Sequence, residues 1–274
     1  QIDMLTAALA KHPAAIGFAQ ALGGVGVDAR DPAQVGLAVV VAQLQRHRVG
    51  LAADAAHILD RQVARTASRP VASGRISPKV AWIWLVVLCL VGLVVLLQLR
   101  WQAQLVALGS LALVAAYPFM KRITWWPQAW LGLVFTWGAL VGWMALRADH
   151  LDVMAALYAG AFFWCMGYDT IYALQDREDD ALVGIRSSAL RLGDGVQAGV
   201  LAFYCLALTL WGLAFWLLRA DWIALLALGP AAVHLLWQGL TLDPRDPANP
   251  LDRFRSNRWA GALVAAACFV VGNA

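Results

Sequence analysis

From Val80 onward the chain alternates long apolar runs with short polar connections. Seven runs stand out: Val80–Leu99, Leu105–Met120, Ala129–Leu146, Leu151–Tyr172, Ala198–Leu218, Trp222–Leu240 and Trp259–Gly272. Most hold about 16 to 22 residues, against the roughly 20 that an α-helix needs to cross a bilayer. The last is short, and Leu151–Tyr172 turns polar near its end. The pattern predicts an all-α, polytopic membrane helix bundle with about seven spans.

The part before these runs reads differently. All 14 tryptophans lie at or beyond Trp82, and Phe18 is the only aromatic residue ahead of it. The longest apolar run there, Val35–Leu44, is about ten residues long and too short to span. The Gly23–Gly24–Val25–Gly26 cluster lacks a strand–turn–helix setting, so no dinucleotide loop is expected. Residues before about Ile58 read as a weakly helical or disordered preface. No cleavable signal peptide is legible, and with Gln1 first the true start is expected upstream.

Composition agrees with a membrane protein. Of 274 residues 61% are hydrophobic and 14% charged, whereas soluble domains lie nearer one half and one quarter. The net charge of +4 comes from basic residues spread between the apolar runs, not gathered in one stripe. That distribution points to membrane orientation and away from nucleic acid. Arg61, Arg65, Arg69, Arg75 and Lys79 precede the first span; Lys121 and Arg122 follow the second. Arg177, Arg186 and Arg191 follow the fourth, and Arg245, Arg253, Arg255 and Arg258 follow the sixth. The intervening connections hold one cation each, Arg100, Arg147 and Arg219. Basic loops are expected on the cytoplasmic side. Trp101, Trp125, Trp126 and Trp222 fall near span ends, as interfacial anchors do. Cys89, Cys165, Cys205 and Cys268 each sit within an apolar run without a CxxC pair, and read as small core residues.

The chemistry gathers in Tyr168-Asp-Thr-Ile-Tyr172-Ala-Leu-Gln-Asp176-Arg-Glu-Asp-Asp180, which continues directly from an apolar span. On a helix Asp169, Tyr172 and Asp176 share a face, and Asp180 lies one turn further. Carboxylates crowded at a membrane helix mouth repel one another and are costly to desolvate. A divalent cation would neutralise them. Magnesium takes oxygen ligands, keeps waters, and shares one or two carboxylates with substrate phosphates. The plainer alternative is a solvated acidic loop without a ligand. Arg65 and Arg69, followed by Pro70 and Ser73–Gly74, suit phosphate oxygens; membrane anchoring alone would also account for them. The same two readings hold for Lys121 and Arg122 after Tyr117-Pro118-Phe119-Met120, and for Asp252-Arg-Phe-Arg-Ser-Asn-Arg258. His234, alone in an apolar run, reads as a packed or hydrogen-bonded residue.

Taken in order, DRQVARTASRPVASGRIS, YPFMKRITWWPQ, GYDTIYALQDREDD with GIRSSALRLG, and FRSNRWAG resemble the UbiA-type intramembrane prenyltransferase superfamily, most closely its bacterial 4-hydroxybenzoate polyprenyltransferases. The resemblance runs from about Ile58 to the C-terminus. It implies a bundle of nine spans around a central cavity, in a bacterial inner (plasma) membrane with its active-site loops cytoplasmic. It also implies Mg2+ as cofactor, polyprenyl diphosphate and 4-hydroxybenzoate as substrates, and a role in ubiquinone biosynthesis. The family's second acid motif falls on Asp176 and Asp180, with Asp169 and Tyr172 on the approach. Arg65 and Arg69 match cations around the diphosphate. Arg122 matches an arginine facing the acceptor carboxylate, with Lys121 beside it. Of the first acid motif, NDxxDxxxD, the metal-ligand position Asp60 remains. Ala52, Ala53 and Ala56 occupy the other polar positions, and alanine cannot ligate a metal. Residues 1–57 are therefore expected to be divergent or foreign, 58–274 to be the UbiA-like domain, and turnover by the chain as written to be small or absent. The other readings are a non-catalytic remnant, a membrane transporter with the acids along a cation path, or a relative using homogentisate, haem or a naphthoate.

Overall fold

A computed structural model describes residues 70–146 and 149–273. Asp60, Arg65 and Arg69, the alanines at Ala52, Ala53 and Ala56, and the expected preface to residue 57 lie outside the described residues. Those described form helices joined by turns, with no strand among them.

The helices are α1 (Pro78–Leu96), α2 (Trp101–Ile123), α3 (Pro127–Leu146), α4 (Leu151–Ala173), α5 (Arg177–Val183), α6 (Ser188–Leu192), α7 (Val196–Leu218), α8 (Trp222–Ala227), α9 (Gly229–Leu240) and α10 (Asn249–Asn273). Among the described residues six helical segments are long and apolar enough to cross a membrane. A seventh pass, α10, carries Asp252, Arg253, Arg255 and Arg258 in its first half and becomes apolar beyond Trp259. Each of the seven apolar runs in the sequence thus lies in a helical pass. The run from Trp222 to Leu240 is divided at Leu228 into α8 and α9. Pro230 explains the division: it lacks an N–H and crowds the preceding turn.

Local signals start the helices where they start. Ser77 caps α1, its hydroxyl accepting from the Val80 N–H, with Pro78 in the first turn. Asp221 caps α8 by accepting from the Ala224 N–H at 2.8 Å and is also hydrogen-bonded by Arg219. These two devices follow the preference of helix N-termini for side-chain oxygens and proline.

The packed centre is α4. It lies against α3, α7 and α10, and the α4–α7 contact is the most extensive in the bundle. Gly160 and Gly167, seven residues apart on α4, face Trp211 and Tyr204, also seven apart on the antiparallel α7; a Cβ at either glycine would collide with the facing ring. Small residues let membrane helices approach closely, where packing and not the hydrophobic effect drives association. Helix α3 joins α2 through two indoles: Trp130 and Trp137 each donate to an α2 carbonyl, of Leu113 and Val106, at 2.7 Å. Helix α1 has no buried residue and presents large apolar side chains around its circumference, suited to lipid.

A buried polar network ties four helices together. The Tyr204 hydroxyl of α7 donates to Gln238 Oε1 of α9 at 2.7 Å, and Gln238 Nε2 donates to Ser256 Oγ of α10 at 2.8 Å. Trp164 Nε1 of α4 donates to Asn257 Oδ1 of α10 at 2.9 Å. His234 is hydrogen-bonded to the Ser256 carbonyl. Of the cysteines, Cys165 is buried and Cys268 half-buried, but Cys89 and Cys205 are exposed. The expectation of four core cysteines is corrected for those two: they lie on the outward face of spans, where a thiol tolerates an apolar surround.

Candidate functional site

Three connections meet at one end of the bundle. Arg186, between α5 and α6, donates through Nη1 to the Ile123 carbonyl at the end of α2, at 2.8 Å. Phe254, in the first turns of α10, packs on Tyr172 in the last turn of α4, ring centres 4.5 Å apart. The ends of α2 and α4 and the start of α10 are thereby neighbours, and most of the described basic residues belong to these connections.

Asp169 and Tyr172 are half-buried on α4. Past Ala173 the backbone tightens into a 3-10 turn, Leu174–Asp176, and a new helix α5 begins at Arg177. Spacing alone places Asp176 on a continuous helix with Asp169 and Tyr172; instead Asp176 leaves helical geometry, at φ −108 and ψ 8. The acids themselves favour the new start. Glu178, Asp179 and Asp180 occupy the first turn of α5, where the helix dipole stabilises negative charge. Gly184, at φ 72, ends α5 in the left-handed region, which glycine adopts without a Cβ penalty.

Asp180 is 7% exposed. A carboxylate removed from water is retained when paired, hydrogen-bonded or metal-bound. Asp176 is half-buried and stands four residues away, across about one helical turn. Among the described residues no three His, Cys, Asp or Glu side chains form a metal-binding group. The donors present are hard carboxylate oxygens. An open pair of this kind fits magnesium, which keeps waters and takes substrate phosphate oxygens, and does not fit a closed tetrahedral zinc site.

Of the predicted cations, Arg122 is exposed in the last turn of α2. Lys121 shares that turn, and its side chain lies outside what the structure describes. Asp60, Arg65 and Arg69 lie outside the described residues. Asp169 and Tyr172 thus lie in the last turns of α4, Asp176 and Asp180 at and after the break that follows, and Arg122 beside the Ile123 carbonyl to which Arg186 is bonded.

Other residues here fall within the motif segments, where sequence assigns them no individual role. Phe254 contacts both Tyr172 and Tyr168, the latter at 6.0 Å between centres. Asn257 fixes the turn that carries it, donating to the carbonyls of Arg253 and Phe254 at 3.2 Å. Gln128 Oε1 accepts from the Ser188 N–H at 2.9 Å, and Ser188 Oγ shares a 2.7 Å bond with Thr170. Arg186 and Gln128 also lie inside those segments, but no feature of the sequence identifies their partners.

The UbiA prenyltransferase family model matches residues 57–270. The chain is similar to 4-hydroxybenzoate geranyltransferase 2 of Lithospermum erythrorhizon, 41% identical over 208 residues covering 75% of this chain and 67% of that protein. It is also similar to the mitochondrial 4-hydroxybenzoate polyprenyltransferase of Homo sapiens, 41% identical over 209 residues, 75% of this chain and 56% of that protein. The match thus spans between about half and two-thirds of such relatives' own length. Among solved structures, the apo structure of a UbiA homolog from Aeropyrum pernix K1 has a TM-score of 0.72 at 23% identity, covering 93% of this chain and 96% of that chain. A UbiA homolog from Archaeoglobus fulgidus bound to GPP and Mg2+ has a TM-score of 0.68 at 18% identity, covering 94% and 96%. These two share its fold. A sequence match over most of the length and the same helical architecture lead to one conclusion: the chain belongs to the UbiA prenyltransferase family.

Proposed function

We propose that the chain transfers a polyprenyl group from its diphosphate to 4-hydroxybenzoate, a step in ubiquinone biosynthesis, in a bacterial plasma membrane with the basic loops cytoplasmic, its turnover lowered by Ala52, Ala53 and Ala56 at the first-motif positions. The observation that carries this reading is the Arg186–Ile123 bond, which ties the connection following the Asp176–Asp180 acids to the Arg122 end of α2. The names of the similar proteins support the acceptor. A transport site lies more often near the midplane, so acids gathered at one end favour the enzyme over a transporter.

Asp176 and Asp180 would hold Mg2+ beside the diphosphate, with Asp60 contributing from the first motif and Arg65 and Arg69 on phosphate oxygens. A metal bound there would supply Lewis-acid stabilisation of the leaving diphosphate. The allylic C–O bond breaks and its electron pair leaves with the diphosphate. Lys121 and Arg122 hold the acceptor carboxylate, so that the ring carbon ortho to the hydroxyl faces the allylic carbon and forms the new C–C bond. The ring proton passes to Asp169, the acid set furthest into α4, or to the released diphosphate. Tyr172 lines the approach, and the apolar helices exclude water that would quench the cation. The prenyl tail lies along the bilayer.

A second reading, a diphosphate-binding remnant, is favoured by Ala52, Ala53 and Ala56 at positions where ligands would stand. One assay separates the two. Purified full chain is incubated with Mg2+, geranyl diphosphate and 4-hydroxybenzoate, alone and as the triple variant A52N/A53D/A56D. Prenylated product from the unaltered chain supports the transferase, and product from the triple variant alone supports the remnant. Magnesium-dependent binding without product from both supports the remnant, and neither product nor binding overturns both readings.

A further inference from the structure

Arg186 leaves the acid helix α5 yet reaches a different connection. Besides the 2.8 Å bond from Nη1 to the Ile123 carbonyl, its guanidinium carbon lies 5.4 Å from the centre of the Trp125 ring. Ile123 is the last residue of α2 and the immediate neighbour of Arg122. Two residues beyond Arg186, the Ser188 N–H is bonded to Gln128 at the start of α3, while Ser188 Oγ is bonded to Thr170 of α4. The segment from Arg186 to Ser188 thus grips the α2–α3 connection at both of its ends. It is tied at the same time to the helix bearing Asp169 and Tyr172.

The chemistry of each contact suits its place. The last carbonyls of a helix lack intrahelical donors, and a cation there also complements the helix dipole. A guanidinium can donate to a carbonyl while stacking on an indole, which an ammonium does less well. Plain membrane anchoring would need only the charge. The dual contact, with a carbonyl 63 residues away in sequence, is specific.

We propose that Arg186 is a positioning residue: it clasps the Arg122 end of α2 to the Asp176–Asp180 loop and so fixes the two substrates relative to one another. This rests on the function proposed above. In a two-substrate reaction much of the acceleration comes from mutual orientation, and a displacement of about 1 Å can cost on the order of a hundredfold in rate. The clasp joins the element that holds the diphosphate to the element that holds the acceptor.

Amide hydrogen exchange on the full chain in nanodiscs tests this without requiring turnover. Wild type, R186K, R186Q and W125L are compared with and without Mg2+ plus geranyl diphosphate. Without ligand, R186Q exchanges roughly fivefold to tenfold faster than wild type in the Ile123–Gln128 and Gly184–Ser188 segments, as loss of one solvent-exposed hydrogen bond implies, with α7 and α9 unchanged. R186K recovers part of the difference, and W125L shows a smaller change of the same sign. With ligand, wild type gains protection in both the acid loop and the α2–α3 connection; R186Q gains it in the acid loop only. Equal exchange of R186Q and wild type in both segments, or equal protection of the α2–α3 connection, overturns the proposal, as does acceleration spread evenly through α7 and α9. Should R186Q not fold, the ligand-free R186K and W125L comparison decides, and wild-type rates in both overturn the clasp. A wild-type chain that gains no protection anywhere counts against the proposed function, while the ligand-free comparison still decides the clasp.

Discussion

The ring of Phe254 lies 4.5 Å from the ring of Tyr172, tilted by 40°, and this contact joins the start of α10 to the last turn of the acid-bearing helix α4. Aromatic pairs at such separations contribute about 0.5–1.5 kcal/mol beyond the area they bury. Asn257 holds the Phe254 turn from within α10 and accepts from the Trp164 indole. The segment first legible as a basic anchor therefore also packs against Tyr168 and Tyr172.

Replacing Phe254 with alanine frees Tyr172 from this packing. The expected result is an affinity for magnesium–geranyl diphosphate weakened about threefold to tenfold, the scale of one aromatic pair. F254Y, which keeps the ring, stays near wild type. Titration followed by tryptophan fluorescence measures both.

Asp176→Asn and Asp180→Asn each remove a charged oxygen from the candidate metal pair. Each variant is expected to lose at least tenfold in magnesium-dependent diphosphate binding, as loss of a charge-assisted contact worth about 1.5–3 kcal/mol implies. Asp179→Asn, outside the DxxxD pair, changes binding little. Isothermal titration with and without Mg2+ distinguishes the three.

Gly167→Ala tests the α4–α7 contact apart from the chemistry. Its added Cβ overlaps the Tyr204 ring, and overpacking of this kind costs about 1–3 kcal/mol. Gly160→Ala meets Trp211 in the same way. Both are expected to lower the thermal midpoint in detergent.

Gln238→Leu removes the bonds to Tyr204 and Ser256. Hydrogen bonds between membrane helices average about 0.6 kcal/mol, with a maximum near 1.7, so a modest loss of stability is expected. Y204F gives a similar loss, and the double variant less than the sum, because both act through one bond. Equilibrium unfolding in mixed micelles measures the coupling.

Much of the bundle was legible because apolar runs of span length leave few alternatives in a bilayer. The acids of Tyr168–Asp180 were legible too, since charge beside an apolar run is costly without a purpose. The break at Leu174–Asp176 was not. No glycine or proline marks it, and the new helix is favoured by the same acids that spacing places on the old one. Pro230 did signal the bend between α8 and α9, yet an unbroken apolar run concealed it. Arg186 was hidden for a different reason: an arginine near a span end satisfies the positive-inside pattern whatever it touches. Only a fold that brings Ile123 and Trp125 beside it separates clasp from anchor.

Thermal unfolding of the full chain in detergent, with geranyl diphosphate in the presence and absence of Mg2+, tests the central claim most directly. At ligand a hundredfold above its Kd, stabilisation of about 2.7 kcal/mol is predicted. It should require Mg2+, vanish with chelator, and be lost in the D176N/D180N double variant. An equal shift without magnesium, or an undiminished one in the double variant, would contradict a metal-bound diphosphate held by those two acids.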